Sequence, residues 1–406
     1  MKLSKYIYDF ILFGLIVSLI FGLIGNGAQP VRLLIIALSP IMVADAFMRP
    51  HKSIYYYRYE CFFLLFWWLW AVSFFYKAVD EVESLKHIIY LLVHTLGFLE
   101  ILWAANRASH PQQAIKYGWL VFILLSIPVA LYEFLTDFHL PISFQDTGET
   151  LYMNGIHVSR PFASVTFGNL NSYNTMLCWG LPSLFMCNLY PRNSLEKIVG
   201  LVLMLMVTLI IVANASRGAI LCMMLMMATY CYAYYRMGRN RILLITILII
   251  VMGAFVYYLG ELFLLIMERF SVQGMEDTGR VENIVQGIHA LMDSYGLGVG
   301  IGNYEPIMND VYNVDPPAPH NLLLETLVLF GLPVAIGFVG MFVHLAYISL
   351  RRGTSYNRNM LLFCAVVVVL AGVIDSNYIM KATTWIYIAT MYVYADPRYN
   401  SLAETI

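Results

Sequence analysis

Long apolar runs recur along the whole chain, and polar residues gather in the gaps between them. The runs are apolar all round rather than along one stripe, which is the pattern of helices surrounded by lipid or by other helices. A helix needs about 20 mostly apolar residues to cross a bilayer. About twelve segments meet or approach that length: 7–24, 31–48, 60–76, 86–104, 117–134, 172–190, 196–213, 218–235, 242–267, 321–349, 360–375 and 381–395. The expected fold is an all-α integral membrane protein of about twelve transmembrane helices, forming a single polytopic domain over residues 1–406. No internal repeat or linker divides it.

Composition agrees with the pattern. Of the 406 residues, 60% are hydrophobic and 12% charged, against about 25% charged in soluble domains. The net charge of −1 identifies no partner. Membrane lipids are the implied surroundings, and nucleic acid is not an expected partner. The six cysteines lie mostly inside apolar runs and read as small core residues. Met1-Lys-Leu-Ser-Lys5 precedes an apolar stretch without a small-residue cleavage site, so a retained signal anchor is expected.

Basic residues orient the spans. With a cytoplasmic N-terminus, the outside segments hold Arg32, Lys77, Lys86, Arg160, Arg217, Arg269, Arg280 and Lys381, and the inside segments hold the remaining two thirds of the Lys and Arg. Both termini are then cytoplasmic. Two loops are long, roughly 135–171 and 268–320, and both fall outside. Loops of that length are usually functional or disordered. The second contains apolar residues at 281, 284, 285, 288, 291 and 292, which predicts a short helix with one greasy face. Such a helix either lies on the membrane surface or packs on the outer ends of the bundle.

Candidate chemistry collects at the same face. Arg217 sits in the tight turn Ala213-Asn-Ala-Ser-Arg217 between two spans, Arg280 opens the amphipathic helix, and Arg160 precedes a span with Asn169, Asn171 and Asn174 at its mouth. His320 and Asn321 head the tenth span, with Glu325 one turn in. Singly, each has a plain explanation: snorkelling for Arg217, a surface ion pair for Arg280, helix capping for the asparagines. Together they set guanidiniums, an imidazole, amides and a carboxylate on one membrane face. Guanidinium forks match phosphate oxygens. A histidine at a helix N-terminus is held neutral by the dipole and is able to act as a base. This set suits a lipid-linked diphosphate whose sugar is attacked by a hydroxyl. Asp45 and Asp375, at or near spans, are further candidates, with Asp375 near the outer face. The segment Gly296-Leu-Gly-Val-Gly-Ile-Gly302 is no nucleotide fingerprint and reads as flexible or as a close backbone approach to a ligand. No metal-ligand spacing is present in the sequence, and no cofactor is expected.

The order of these elements resembles the O-antigen ligase and O-antigen polymerase superfamily of bacterial envelope enzymes. The resemblance rests on Arg160-Pro-Phe-Ala-Ser-Val-Thr-Phe-Gly-Asn-Leu-Asn171, on Ser216-Arg-Gly-Ala-Ile-Leu221, on Gly279-Arg280 with the glycine-rich segment, and on His320-Asn321 followed after nine residues by Gly331. It covers about residues 155–340. Val334 stands where the family often has a second small residue, with Pro333 before it, so the local helix shape departs from the pattern. The resemblance implies a membrane glycosyltransferase of the bacterial inner membrane, similar to the GT-C class, with its site on a periplasmic face bearing short helices. The implied donor is an undecaprenyl diphosphate-linked oligosaccharide. The acceptor is a glycan repeat unit for a polymerase or lipid A–core for a ligase, and the form of the arginine motif leans to polymerase. The mechanism expected is metal-independent and inverting: Arg217 and Arg280 hold the diphosphate, His320 takes the acceptor proton, Arg160, Asn171 and Asn321 bind substrate, and Glu325 orients His320. A polytopic transporter or flippase is the rival of a different class. Its site would lie near the midplane between repeats, whereas here the polar cluster lies at one face.

Overall fold

The computed structural model describes residues 5–25, 28–48, 57–140, 150–153, 156–159, 161–238, 278–314 and 318–399. The expected span at 242–267, Arg160 and the side chain of Arg280 lie outside the described residues. In chain order the helices are α1 (Lys5–Val17, continued by a 3₁₀ turn at Ser18–Phe21), α2 (Pro30–Met48), α3 (Arg58–Ser73), α4 (Glu81–Ala105), α5 (Pro111–Thr136), α6 (Leu170–Leu189), α7 (Ser194–Ala213), α8 (Arg217–Arg236), α9 (Thr278–Asp293), α10 (Tyr304–Asp310), α11 (Leu322–Arg352), α12 (Ser355–Ala371) and α13 (Ala382–Ala395). Each expected span within the described residues coincides with one of them. Among the described residues, 7 helices are long and apolar enough to cross a membrane. One small antiparallel hairpin, β1 (Thr150–Met153) with β2 (Ile156–Ser159), interrupts the all-helical chain in the long loop after α5.

Helices α6 and α13 fall short of that criterion for an instructive reason. They are the inner helices of the bundle: nearly every residue of each is buried, and neither needs a lipid-compatible surface. Alpha6 therefore carries Ser172, Asn174, Thr175, Ser183 and Asn188 in its interior-facing positions. Helix α13 is walled by aromatic rings, with Trp385 5.3 Å from Trp67, Tyr392 5.3 Å from Phe98, and Tyr387 stacked on Trp179 at 5.1 Å. Such offset and edge contacts add to the large area these rings bury.

The short turns make sequential helices antiparallel, so the bundle has two ends. One gathers the starts of α2, α4, α6, α8, α11 and α13 and the ends of α1, α3, α5, α7 and α12. The long loops lie at this end. The segment Pro161–Gly168 is pinned there by three separate anchors. The Glu133 carboxylate accepts the Ser164 and Val165 N–H groups at 2.7 and 2.8 Å. Asn214 accepts the Ala163 N–H at 2.8 Å and donates back to its carbonyl at 3.1 Å. Leu23 donates to the Thr166 carbonyl at 2.7 Å.

Helix α11 breaks at Gly331, whose φ of +78° and ψ of −179° are non-helical. Pro333 has no N–H to give the Leu329 carbonyl, and the break turns the Leu332 N–H away from Val328. The glycine-rich segment repairs the gap strand-like: Val299 N–H donates to the Val328 carbonyl at 2.8 Å, Gly300 N–H to Leu329 at 3.0 Å, and Leu332 N–H to the Gly296 carbonyl at 2.8 Å. A Cβ on Gly298 would lie 2.6 Å from the Gly331 nitrogen, and its φ is +88°. The close approach expected of these glycines is thus to the backbone of α11, not to a ligand. Backbone groups freed in a spanning helix must be re-satisfied by neighbours, and this loop is that neighbour.

Candidate functional site

The site is assembled from helix starts. Asn169 caps α6 by accepting the Ser172 N–H at 2.7 Å, and Asn321 caps α11 by accepting from Leu323 and Leu324 at 2.9 and 3.0 Å. Two amides that read as ligand-binding or capping in the sequence therefore have a capping role, and the Asn321 side-chain oxygen is engaged in it. Asn171 faces the α8 start, accepting from the Ser216 hydroxyl at 3.2 Å. Arg217 is the first residue of α8 and is exposed. Ala215, with φ +43°, makes the turn into α8 tight. Gly218 beside it lies against Ile374, to whose side chain a Cβ would come within 3.1 Å.

The α12–α13 loop, residues 372–381, ties these starts together. Leu322 N–H donates to the Gly372 carbonyl at 2.9 Å, two residues after His320. Both Glu325 carboxylate oxygens accept backbone N–H groups from the loop, Tyr378 at 2.7 Å and Ile379 at 3.0 Å. Glu325, expected from the sequence to orient His320, anchors this loop. Its buried charge gains two N–H donors there, which is what a carboxylate at that depth requires. On the other side the loop meets α6: Asp375 accepts from the Ser172 hydroxyl at 2.7 Å and pairs with Lys381. The starts of α6, α8 and α11 thus share one loop. Arg217, Asn171, His320 and Glu325, scattered in sequence, belong to one end of the bundle, and Asn171 and Glu325 take part in the contacts that join it. His320 holds φ +35°, a conformation that histidine and asparagine tolerate better than most residues.

Helix α9 packs on α11 through small residues. Gly287 faces Val328 and Leu324, and Asn283 and Ala290 on the same face are buried. The greasy face of Val281, Ile284, Val285, Ile288 and Met292 stays exposed. Of the two placements considered, packing on the bundle holds for one face, and the apolar face still points outward. Arg280 belongs to the first turn of this helix.

A cavity of about 190 Å³ opens beside Ser172 and Asp375 and is lined also by Arg32, Asn377, Tyr378 and Lys381. Arg32 is buried, donates to the His94 ring nitrogen at 3.0 Å, and lies 3.7 Å over the Tyr90 ring. Sequence reasoning used Arg32 and Lys381 only to orient spans. Their signal was available: a cation three residues into a span, and one at a span's mouth, are costly unless used. Asp375 joins this end as its position suggested. Asp45 does not: it pairs with Arg107 at 2.6 Å and accepts from Trp103 at 2.8 Å at the opposite end.

Residues 200–339 match the family described as O-Antigen ligase (Wzy_C). That stretch contains Arg217, Arg280, the glycine-rich segment, His320, Asn321, Glu325 and Gly331. The chain is also similar to the teichuronic acid biosynthesis protein TuaE of Bacillus subtilis (strain 168), at 24% identity over 298 residues and 70% of this chain. The match spans 59% of the length of that relative.

Proposed function

We propose that this chain, similar over residues 200–339 to the O-antigen ligase family and at 24% identity to a teichuronic acid biosynthesis protein, is a surface-polysaccharide polymerase, transferring a glycan from a polyprenyl diphosphate to the hydroxyl of a second lipid-linked glycan. The observation that supports the reading is the shared loop: the starts of α6 and α11 hydrogen-bond to residues 372–381 and Gly218 of α8 lies against Ile374, so Arg217, Asn171 and His320 stand at the same end of the bundle. The donor is undecaprenyl diphosphate-linked, and the face is periplasmic if the basic inside loops set the orientation.

In the reaction the acceptor oxygen attacks the anomeric carbon from the face opposite the diphosphate. The bond from that carbon to the diphosphate oxygen breaks, and its electron pair leaves on the phosphate. His320 takes the hydroxyl proton. Arg217, with Arg280 from α9, stabilises the charge gathering on the leaving diphosphate. Diphosphate is a good leaving group, so no strong general acid is required, and the step needs no metal and inverts the anomeric centre. Arg160 directly precedes the segment fastened to Asn214, three residues from Arg217, and is assigned to phosphate or glycan along with Asn171. The family description favours the second reading, ligation to lipid A–core.

Purified protein in liposomes with a lipid-linked oligosaccharide tests the activity: a longer glycan on the carrier is expected. Translocation without a new bond would replace the enzyme by a transporter. A deletion strain separates the two enzyme readings. Loss of a polymerase leaves one repeat on its acceptor, and loss of a ligase strands long glycan on the carrier.

A further inference from the structure

The cavity of about 190 Å³ lies at the site end, between the start of α2, the first turns of α6 and the start of α13. It is smaller than the roughly 300–1,000 Å³ of a pocket for a drug-sized ligand and has room for one small molecule. Its walls are mixed. Phe167, Met176 and Met380 supply apolar lining. Gln29 just before α2, Asn377 in the α12–α13 loop and Thr383 in the first turn of α13 supply two amides and a hydroxyl. Among the described residues, none of these three side chains holds a hydrogen bond. Asn377 is exposed and holds φ +55°, a left-handed conformation that asparagine tolerates better than most residues. Lys381 donates to Asp375 and to the Ser172 hydroxyl at 3.4 Å, which leaves one of its three N–H bonds. Arg32 is already engaged, by the His94 ring, the Met380 carbonyl and the face of Tyr90. The cavity borders the candidate site: Ser172 follows Asn171, and Asp375 follows Ile374, against which Gly218 of α8 lies.

We propose, resting on the glycan transfer set out above, that this cavity is a sugar subsite. It takes one uncharged, non-reacting pyranose ring of the glycan substrate, whose hydroxyls are bonded by Gln29, Asn377, Thr383 and Lys381. The chemistry of the wall selects this ligand. A sugar hydroxyl both donates and accepts, and the lining offers both: amide and ammonium N–H groups beside amide, hydroxyl and carboxylate oxygens. The C–H groups of the ring cover the apolar lining, and a few placed polar groups on an apolar wall are the usual make-up of a ligand pocket. An anion such as diphosphate would sit against the Asp375 carboxylate, with Lys381 already neutralised by it. A hydrocarbon chain would strip water from Gln29, Asn377 and Thr383 and give them no partner, which is costly. A repeat unit with the wrong hydroxyls leaves these groups unpaired, so the cavity selects which glycan is extended.

Saturation-transfer NMR on the full-length protein in phospholipid nanodiscs, free of glycoside detergent, tests the proposal and needs no turnover. The probes are methyl glucoside, methyl galactoside, the methyl glycosides of N-acetylglucosamine and N-acetylgalactosamine, and inorganic pyrophosphate. At least one methyl glycoside should bind wild type, and pyrophosphate should not displace it. The double variant N377G/T383V, in which glycine keeps the positive φ, should bind that glycoside roughly 30-fold more weakly, from two lost hydrogen bonds. Q29A should bind it about fivefold more weakly. Melting checks that the variants are folded, and Q29A, outside any helix, keeps the test decisive if the double variant is not. Absence of binding by every methyl glycoside, displacement by pyrophosphate, or equal binding by wild type and the folded variants overturns the proposal. Glycoside binding without chain elongation in liposomes removes the polymerase and keeps the subsite; elongation without glycoside binding does the reverse.

Discussion

The two ends of the bundle use carboxylates in different ways. At the end away from the site most meet side-chain cations or tyrosines, Asp45 with Arg107, Glu196 with Lys116, Glu60 with His344 and Tyr392, Asp396 with Arg398 and Tyr57, whereas Asp9 accepts the Ser109 and His110 N–H groups. At the site end Glu133 and Glu325 accept backbone N–H groups, and each fixes a loop, 164–165 and 378–379, while Glu133 also lies 3.4 Å from His139 and Glu83 pairs with Lys86 and His87. Asp375 with Lys381 is the ion pair at the cavity. A carboxylate spent on backbone is not spent on a guanidinium. It shapes the rim of that end. The paired end only has to hold helices together, and side-chain ion pairs between helices do that.

Six substitutions sharpen or break this contrast. The largest effect is expected at the site end, from R217A and from H320N, the second chosen because asparagine accepts the positive φ of that position. Product formation should fall about 10²–10⁴-fold with melting unchanged. Normal transfer in either variant would remove that residue from the mechanism. At the other end, K116M leaves the buried Glu196 charge without its lysine, at a cost of about 3–5 kcal/mol. Adding E196L should recover most of the lost melting temperature, with activity per folded molecule the same throughout. If K116M melts like wild type, the paired end is not held by its ion pairs.

Next in size is G298V, which sets a Cβ against the Gly331 nitrogen at a positive φ. A loss of about 3 kcal/mol is expected, together with lower activity, because the repaired kink lies in the helix that directly follows His320. Smallest is E325Q. The amide keeps one acceptor and turns an N–H₂ toward the other backbone donor, costing about 1–3 kcal/mol. Activity should fall more than stability, through the loosened 372–381 loop. Unchanged kinetics with the same destabilisation would make Glu325 a structural anchor alone.

The candidate residues stood out because their chemistry is out of place in an apolar run. A histidine at the mouth of a span, or an arginine in a turn of a few residues, stands out in any hydropathy pattern. Their partners were not legible. Glu325 looked like a helper of His320 because it lies one turn away, yet its nearest donors come from a loop more than fifty positions later. The glycines at 296–302 announced close approach, but only the break at Gly331 and Pro333 shows what they approach.

Hydropathy alone determined the spans, the alternation that gives the bundle two ends, and the face on which Arg217 and His320 fall, because a run long enough to cross the hydrocarbon needs no knowledge of its neighbours. Tertiary structure decided which helices lie inside, so that α6 can carry buried amides and α13 can be short. It also decided which carboxylate grips which loop, and it brought Arg32, Ser172, Asp375 and Lys381 to one cavity. Those choices depend on contacts between distant segments. In a membrane each unsatisfied polar group must find a partner somewhere, and no local pattern says where.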